Sequence, residues 1–167
     1  MLTVTKKYRF VIVEGPDCSG KSTLVERLKN SLHWDSKYLR HAKKNQFFRY
    51  LSEYATQKNT VFDRAHFSEE VYSQMWRGGS PFATDEKKIL DDICHLHALT
   101  IFCLPSKEDM TARYNSRDFD QQITLAEMVE SYEAFAKQAE KFGDLIYHSQ
   151  NYAELDTLVE KVKELVS

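Results

Sequence analysis

What the chain lacks bounds it first. Three cysteines, Cys18, Cys94 and Cys103, are too few and too scattered for a disulfide framework. Cys94 and Cys103 stand in apolar company and read as core residues. Cys94-His95-Leu96-His97 fits no common zinc spacing and reads as a helix end. No apolar run approaches the length of a membrane helix, and Met1 to Lys7 has no apolar stretch of the kind a secretory leader carries. The expected setting is a reducing cytoplasm, with no membrane partner. A net charge of −2 leaves no general basic field, so tight sequence-independent binding to nucleic acid is not expected. Whatever positive charge matters is local. There is no repeat, low-complexity segment or linker, and 167 residues suit one domain with a real core.

The stretch from Tyr8 to Leu24 organises the rest. Phe10 to Val13 reads as a buried strand, the chain breaks at Gly15, and helix formers resume after Gly20. Inside lies Gly15-Pro16-Asp17-Cys18-Ser19-Gly20-Lys21-Ser22, the P-loop pattern between strand and helix, followed by Thr23. Glycines let successive backbone N–H groups converge on a phosphate, and the helix adds its positive end. Lys21 supplies a cation for the outer phosphates and Ser22 an oxygen for magnesium. Gly15 to Thr23 is the expected ATP site; a chance match in a glycine loop is the bland alternative.

Further on, Lys37 to His41 is a short strand candidate, Ala42 to Gln57 is helical, and Thr60 to Asp63 is a second buried strand. Arg64 to Trp76 reads as helix, Arg77-Gly78-Gly79-Ser80-Pro81 as a flexible loop, and Thr84 opens another helix. Ala98 to Leu104 is the strongest strand. Ser106 to Tyr114 is helical, Asn115 to Gln122 a polar loop, and Thr124 to Phe142 a long amphipathic helix. A last strand at Leu145 to Tyr147 precedes a helix from Tyr152 to Val166. Apolar strands alternating with helices predict an α/β fold, with five parallel strands covered on both faces and a site at their carboxyl ends.

Asp63 and Arg64 end the second apolar strand on the rim that carries the P-loop. An arginine there can grip an oxyanion in a fork, while Asp63 can order magnesium-bound water or accept a proton. An Asp–Arg pair capping a helix is the plainer reading. Arg113 and Arg117, four apart at a helix end, suit a lid over about residues 113–123; a solvated face beside Asp118 and Asp120 is the alternative.

Together, Gly15-Pro-Asp17-Cys-Ser-Gly-Lys-Ser, Asp63-Arg64-x-x-x-Ser68-x-x-x-Tyr72 and Lys107 to Arg113 resemble the thymidylate kinase family of nucleoside monophosphate kinases. The resemblance implies a three-layer α/β/α P-loop sandwich with strand order 2-3-1-4-5, and ATP and Mg2+ as cofactors. Arg64 would hold the acceptor's phosphate and Asp63, with Ser22, the magnesium shell. Asp17 would meet the 3′-hydroxyl side, Ser68 and Glu69, beside Phe67, the pyrimidine edge, and Tyr72 the sugar. Because Cys18 and Ser19 stand where some members place an arginine, the catalytic cations would be Arg113 and Arg117, beside Lys21. The family's Arg-Glu-Pro-Gly-Gly is absent; Leu39-Arg40-His41-Ala42-Lys43 stands instead. The acceptor region, about 40–82, is short, as in bacteriophage members. Phe47, Phe48 and Arg49 are candidates for the missing base contacts, or core residues in the case of the phenylalanines. Arg77 is a gate or a surface turn. Resemblance alone also implies a homodimer.

The expected activity is phosphoryl transfer from ATP to a deoxypyrimidine monophosphate, with dTMP first. The alternative is a hydroxyl acceptor on a deoxynucleoside or a modified base in DNA, which needs a general base; deoxynucleoside kinases usually place a carboxylate after the second strand and Leu39 to Lys44 has none, though Asp63 can serve. A nucleotide-binding switch or scaffold is a third reading, against which the arginines stand.

Overall fold

Phe10, Val11, Ile12 and Val13 are all fully buried, as a strand covered on both faces requires. In the computed structural model, which describes residues 6–117 and 123–167, these residues form β1 (Phe10–Glu14) at the centre of a five-stranded parallel sheet. The chain continues through α1 (Lys21–Leu32), β2 (Asp35–Tyr38), α2 (Gln46–Thr56), β3 (Thr60–Asp63), α3 (His66–Trp76) and α4 (Thr84–His97). It then forms β4 (Ala98–Cys103), α5 (Lys107–Asn115), α6 (Leu125–Phe142), β5 (Leu145–Tyr147) and α7 (Tyr152–Val166). The strand order is β2-β3-β1-β4-β5, the order expected from the sequence.

Alternation along β1 divides the core. Phe10 and Ile12 face an aromatic layer containing Tyr50, Tyr54, Phe62, Phe67, Phe102 and Phe135, contributed by α2, α3, α6 and the neighbouring strands. Val11 and Val13 face an aliphatic layer in which Leu24, Val25 and Leu28 of α1 meet Leu155, Val159 and Val162 of α7. Each of these side chains contributes about 1.5–3 kcal/mol by leaving water. A third, small cluster of Cys18, Met110, Ile123 and Met128 sits beneath α5 at the P-loop end.

Three boundaries differ from the sequence expectation, each for a local reason. The edge strand β2 covers Asp35–Tyr38 rather than residues 37–41, because its ladder with β3 ends where Tyr38 pairs with Asp63. Helix α2 starts at Gln46 instead of Ala42, since Asn45 takes φ +58 and the Gln46 side chain bonds the Ala42 carbonyl. Helix α3 begins at His66, two residues after Arg64, whose φ of +69 lies outside any right-handed helix. The Arg64 N–H instead bonds Val13 O at 3.0 Å, fastening this residue to the central strand.

Register then sets the site. Val13 pairs with Asp63, so the P-loop leaving β1 and the Asp63-Arg64 corner leaving β3 emerge side by side at the carboxyl rim.

Candidate active site

The turn between β1 and α1 is made of backbone that tolerates no side chain at its ends. Gly15 has φ +146, and a Cβ there would lie 2.5 Å from the Cys103 carbonyl oxygen. Gly20 has φ +88, and its Cβ would meet Ser149 Oγ at 2.4 Å. The first turn of α1 contains no acidic residue, so its N-terminal dipole faces the cleft uncompensated. Lys21 is 8% exposed and donates to Pro16 O at 2.6 Å. Burial, helped by the nearby Arg64 charge, lowers its pKa to about 8. A buried ammonium held by one carbonyl is poised for an anion. Asp17 to Thr23, with Asp63 opposite, wall a cleft of about 490 Å3.

Arg64 stands on the far wall. It donates to Asp17 Oδ1 at 2.7 Å, Ser68 Oγ at 3.0 Å and Gly15 O at 3.3 Å, with 12% of its side chain exposed. Burial opposes its charge, but Tyr72, Asp17 and Glu14 hold the proton on and raise its pKa overall. Fully buried Glu14 accepts from the N–H groups of Ala65 (2.7 Å) and Ser68 (3.0 Å) and from the Ser68 hydroxyl. Its carboxyl is pushed up by burial, against the pull of Arg64 and those bonds. Glu14 thus ties the entrance of α3 to the strand that launches the P-loop. The signal for it was an acid closing an apolar run.

Beyond Arg64 lies a smaller cavity of about 170 Å3, walled by Tyr50, Ser68, Glu69, Tyr72, Trp76 and Arg77 among others. Asp17, Tyr38 and Arg64 line both spaces, so the two are contiguous. Tyr72 stacks on Trp76 with ring centroids 4.9 Å apart, and the Arg64 guanidinium sits 5.4 Å from the Tyr72 ring centre. Glu69, buried behind them, is held by His41 and Arg77.

Comparison with known proteins supports this architecture. No family model matches the chain. The SPbeta prophage-derived uncharacterized protein YorR of Bacillus subtilis is 26% identical over 100 residues, covering 53% of this chain and 61% of that protein. A crystal structure of YorR in complex with phosphorylated GDP superposes with a TM-score of 0.80 at 19% identity, over 94% of this chain and 95% of that one. Deoxyadenosine kinase from M. mycoides with bound dATP gives a TM-score of 0.61 at 11% identity, over 92% and 99%. Shikimate kinase from Acinetobacter baumannii in complex with shikimate gives 0.59 at 10%, over 96% and 94%. The fold is that of a P-loop kinase. At these identities the likeness establishes the fold alone.

Within this fold the expected site residues separate. Gly15 to Thr23, Asp63, Arg64 and Arg117 gather around the larger cleft, and Asp17, Arg64, Ser68, Glu69 and Tyr72 around the smaller cavity. Ser68 donates its proton to Glu14 and receives one from Arg64, so it offers a ligand little. Arg113 faces neither space: it donates to Ser149 O (2.7 Å) and Cys18 O (3.1 Å), bracing the P-loop. Four residues expected at the acceptor lie elsewhere. Phe67 is 1% exposed and packs on Phe102 of β4 and Phe142 of α6, because its place on α3 turns it into the aromatic core. Phe47 joins the same core, Phe48 is 67% exposed, and Arg49 bonds the Arg40 carbonyl. Tyr50, one turn along α2, reaches the cavity instead. Sequence reasoning also passed over Tyr38 and His41. Residues 118–122, the middle of the expected lid, with Asp118 and Asp120, lie outside the described residues; Ile123 beyond them lines the smaller cavity.

Among the described residues no cluster of three or more His, Cys, Asp or Glu could hold a metal alone. The Ser22 hydroxyl and Asp63 carboxylate do share the larger cleft, and burial raises the Asp63 pKa while Lys21 and Arg64 oppose the rise. Two hard oxygens beside a triphosphate suit magnesium. No helix among the described residues is long and apolar enough to cross a membrane.

Proposed function

We propose that this chain is an ATP- and magnesium-dependent kinase that transfers a phosphoryl group to a deoxypyrimidine nucleoside monophosphate; dTMP is the acceptor that the sequence resemblance implies. The observation that carries the reading is Arg64, which stands on the wall shared by a phosphate-binding turn and a second cavity. In this mechanism the P-loop amides and Lys21 hold the donor's outer phosphates, Lys21 exchanging the Pro16 carbonyl for them. Ser22 and Asp63 would hold magnesium, which neutralises charge building on the transferring group. Arg64, kept in place by Asp17 and Ser68, holds the acceptor's phosphate in line with the donor. That phosphate is already anionic, so no general base is needed. One of its oxygens attacks the terminal phosphorus, the bridging bond breaks, and ADP leaves. Arg117 adds charge at the cleft. The prophage origin of YorR fits the phage-like brevity of the acceptor region.

One observation favours a second reading. The Asp17 carboxylate lines both cavities 2.7 Å from Arg64, where it can take a proton from a hydroxyl acceptor. Solved deoxyadenosine kinases share the fold. Incubation with γ-labelled ATP, magnesium and a panel of monophosphates, nucleosides and DNA tests both. Label on a monophosphate supports the first reading, and label on a nucleoside or DNA hydroxyl the second. Release to water alone would end both. Sedimentation of the purified chain would read the homodimer that the sequence resemblance implies.

A further inference from the structure

The smaller cavity has a polar end that phosphate chemistry leaves unused. Glu69 is 4% exposed, and its bonds from His41 (2.6 Å), Arg77 (2.9 Å) and Ser73 (3.1 Å) all fall on Oε1. Its Oε2 accepts no hydrogen bond from the described residues. The Tyr72 hydroxyl, buried on the same wall near Arg64, makes no hydrogen bond of good geometry among the described residues. Arg77 donates from one nitrogen only, Nη1, to Glu69 and Ser73, and its side chain is 35% exposed at the cavity mouth. A carboxylate oxygen of an otherwise buried residue, without a protein donor and on the wall of a cavity, suits an N–H from a ligand. An adjacent guanidinium edge calls for an acceptor.

We propose that Glu69 and Arg77 read the base of the acceptor, and that this base is an aminopyrimidine of cytosine type. The inference rests on the proposed function, in which this cavity receives the acceptor's base while its reacting end lies at Arg64. The volume, about 170 Å3, is under the roughly 300 Å3 at which ligand pockets ordinarily begin, so a single ring suits it better than a purine. Cytosine presents an exocyclic N4 amine as donor, for Glu69 Oε2, with N3 and O2 as neighbouring acceptors for Arg77. Thymine and uracil place a carbonyl at the same ring position and aim its lone pairs at the carboxylate.

The test compares dCMP with dUMP, which differ in amine against carbonyl at that position. For the wild-type chain, kcat/KM for dCMP is expected to exceed that for dUMP, and for dTMP, by about ten- to a hundredfold. Equal or reversed values overturn the inference while transfer to any of the three leaves the kinase reading standing. Calorimetric titration with dCMP and dUMP runs alongside. Preferential dCMP binding without transfer upholds base reading and ends the monophosphate kinase reading; equal binding, or none, overturns base reading. Glu69→Gln replaces one oxygen with an amide and should bring the dCMP/dUMP ratio within about threefold of unity, with the ATP KM unchanged. If that variant does not fold, the wild-type pair decides alone. Arg77→Ala, on an exposed turn, should raise the dCMP KM and spare that for ATP; an unchanged dCMP KM removes Arg77 from the proposal.

Discussion

The larger cleft is built around one continuous loop, whereas the cavity beside it is assembled from several elements. The first takes most of its lining from one local segment, Asp17 to Thr23, joined by Tyr38, Asp63, Arg64 and Arg117, and a Cβ on Gly15 or Gly20 would collide with Cys103 or Ser149. The second draws on β2, α2, α3, the turn after α3 and Ile123, and its shape depends on ion pairs between residues far apart in sequence. The donor triphosphate of the proposed reaction presents much the same charged surface in every enzyme that uses it, and amides on a rigid turn with one lysine serve to hold it. A second substrate must be told from its relatives, which calls for side chains that can differ. The contrast is therefore one of demand as well as construction.

Substitutions can break or sharpen it. Lys21→Ala should have the largest effect, lowering turnover by about a thousandfold or more, since no other side chain replaces that ammonium; single-turnover assays with labelled ATP would show it, and near-normal rates would undo the assignment of the cradle. Gly15→Ala comes next. The added methyl meets the Cys103 carbonyl in a backbone region closed to alanine, so a loss of about 3 kcal/mol of stability is expected in urea titrations. Arg64→Lys keeps the charge beside Glu14 but loses the fork. It should lower kcat/KM for the second substrate by about a hundredfold while leaving the ATP KM within about threefold, whereas equal effects on both would erase the distinction between the two spaces.

A pH series sharpens the donor side alone. The Lys21 pKa is lowered to about 8 in the free chain, and only the protonated amine binds phosphate. ATP affinity should hold steady from pH 6 to 8, then weaken by up to about tenfold per unit above, read by calorimetry. A loss on going below pH 8 would have the wrong sign for this lysine. The smallest effect belongs to Phe48→Ala. At 67% exposure and off both walls, it should change stability by less than about 0.5 kcal/mol and second-substrate KM hardly at all.

The same contrast explains what could be read from the chain. The sheet order, the P-loop and the Asp63-Arg64 corner follow from short apolar runs and a motif whose spacing is fixed by backbone geometry. Asp17 joins that corner because β1 and β3 are neighbours in register. The wall of the smaller cavity was harder to read. Phe47 and Phe48 have the composition of a base-stacking pair, but the helix begins four residues later than its pattern suggests, so Tyr50 faces inward. Phe67 sits between motif residues yet belongs to the aromatic layer, since adjacent positions on a helix face different ways. Glu14 escaped notice because nothing in the sequence says which amides an isolated buried acid will serve. Arg113 and Arg117 are four apart, but only one lines the cleft; Ser149, from the turn after β5, holds the other.

Arg64, Asp17 and Tyr38 belong to both spaces at once, and that shared ownership has a thermodynamic consequence. Whatever occupies one side resets the partners of these groups and thereby the free energy of filling the other, by the same factor in either direction. If the two spaces hold the two substrates of the proposed reaction, their occupancies are linked through three side chains, with no hinge between domains required, and the apparent dissociation constant of one will depend on the concentration of its companion.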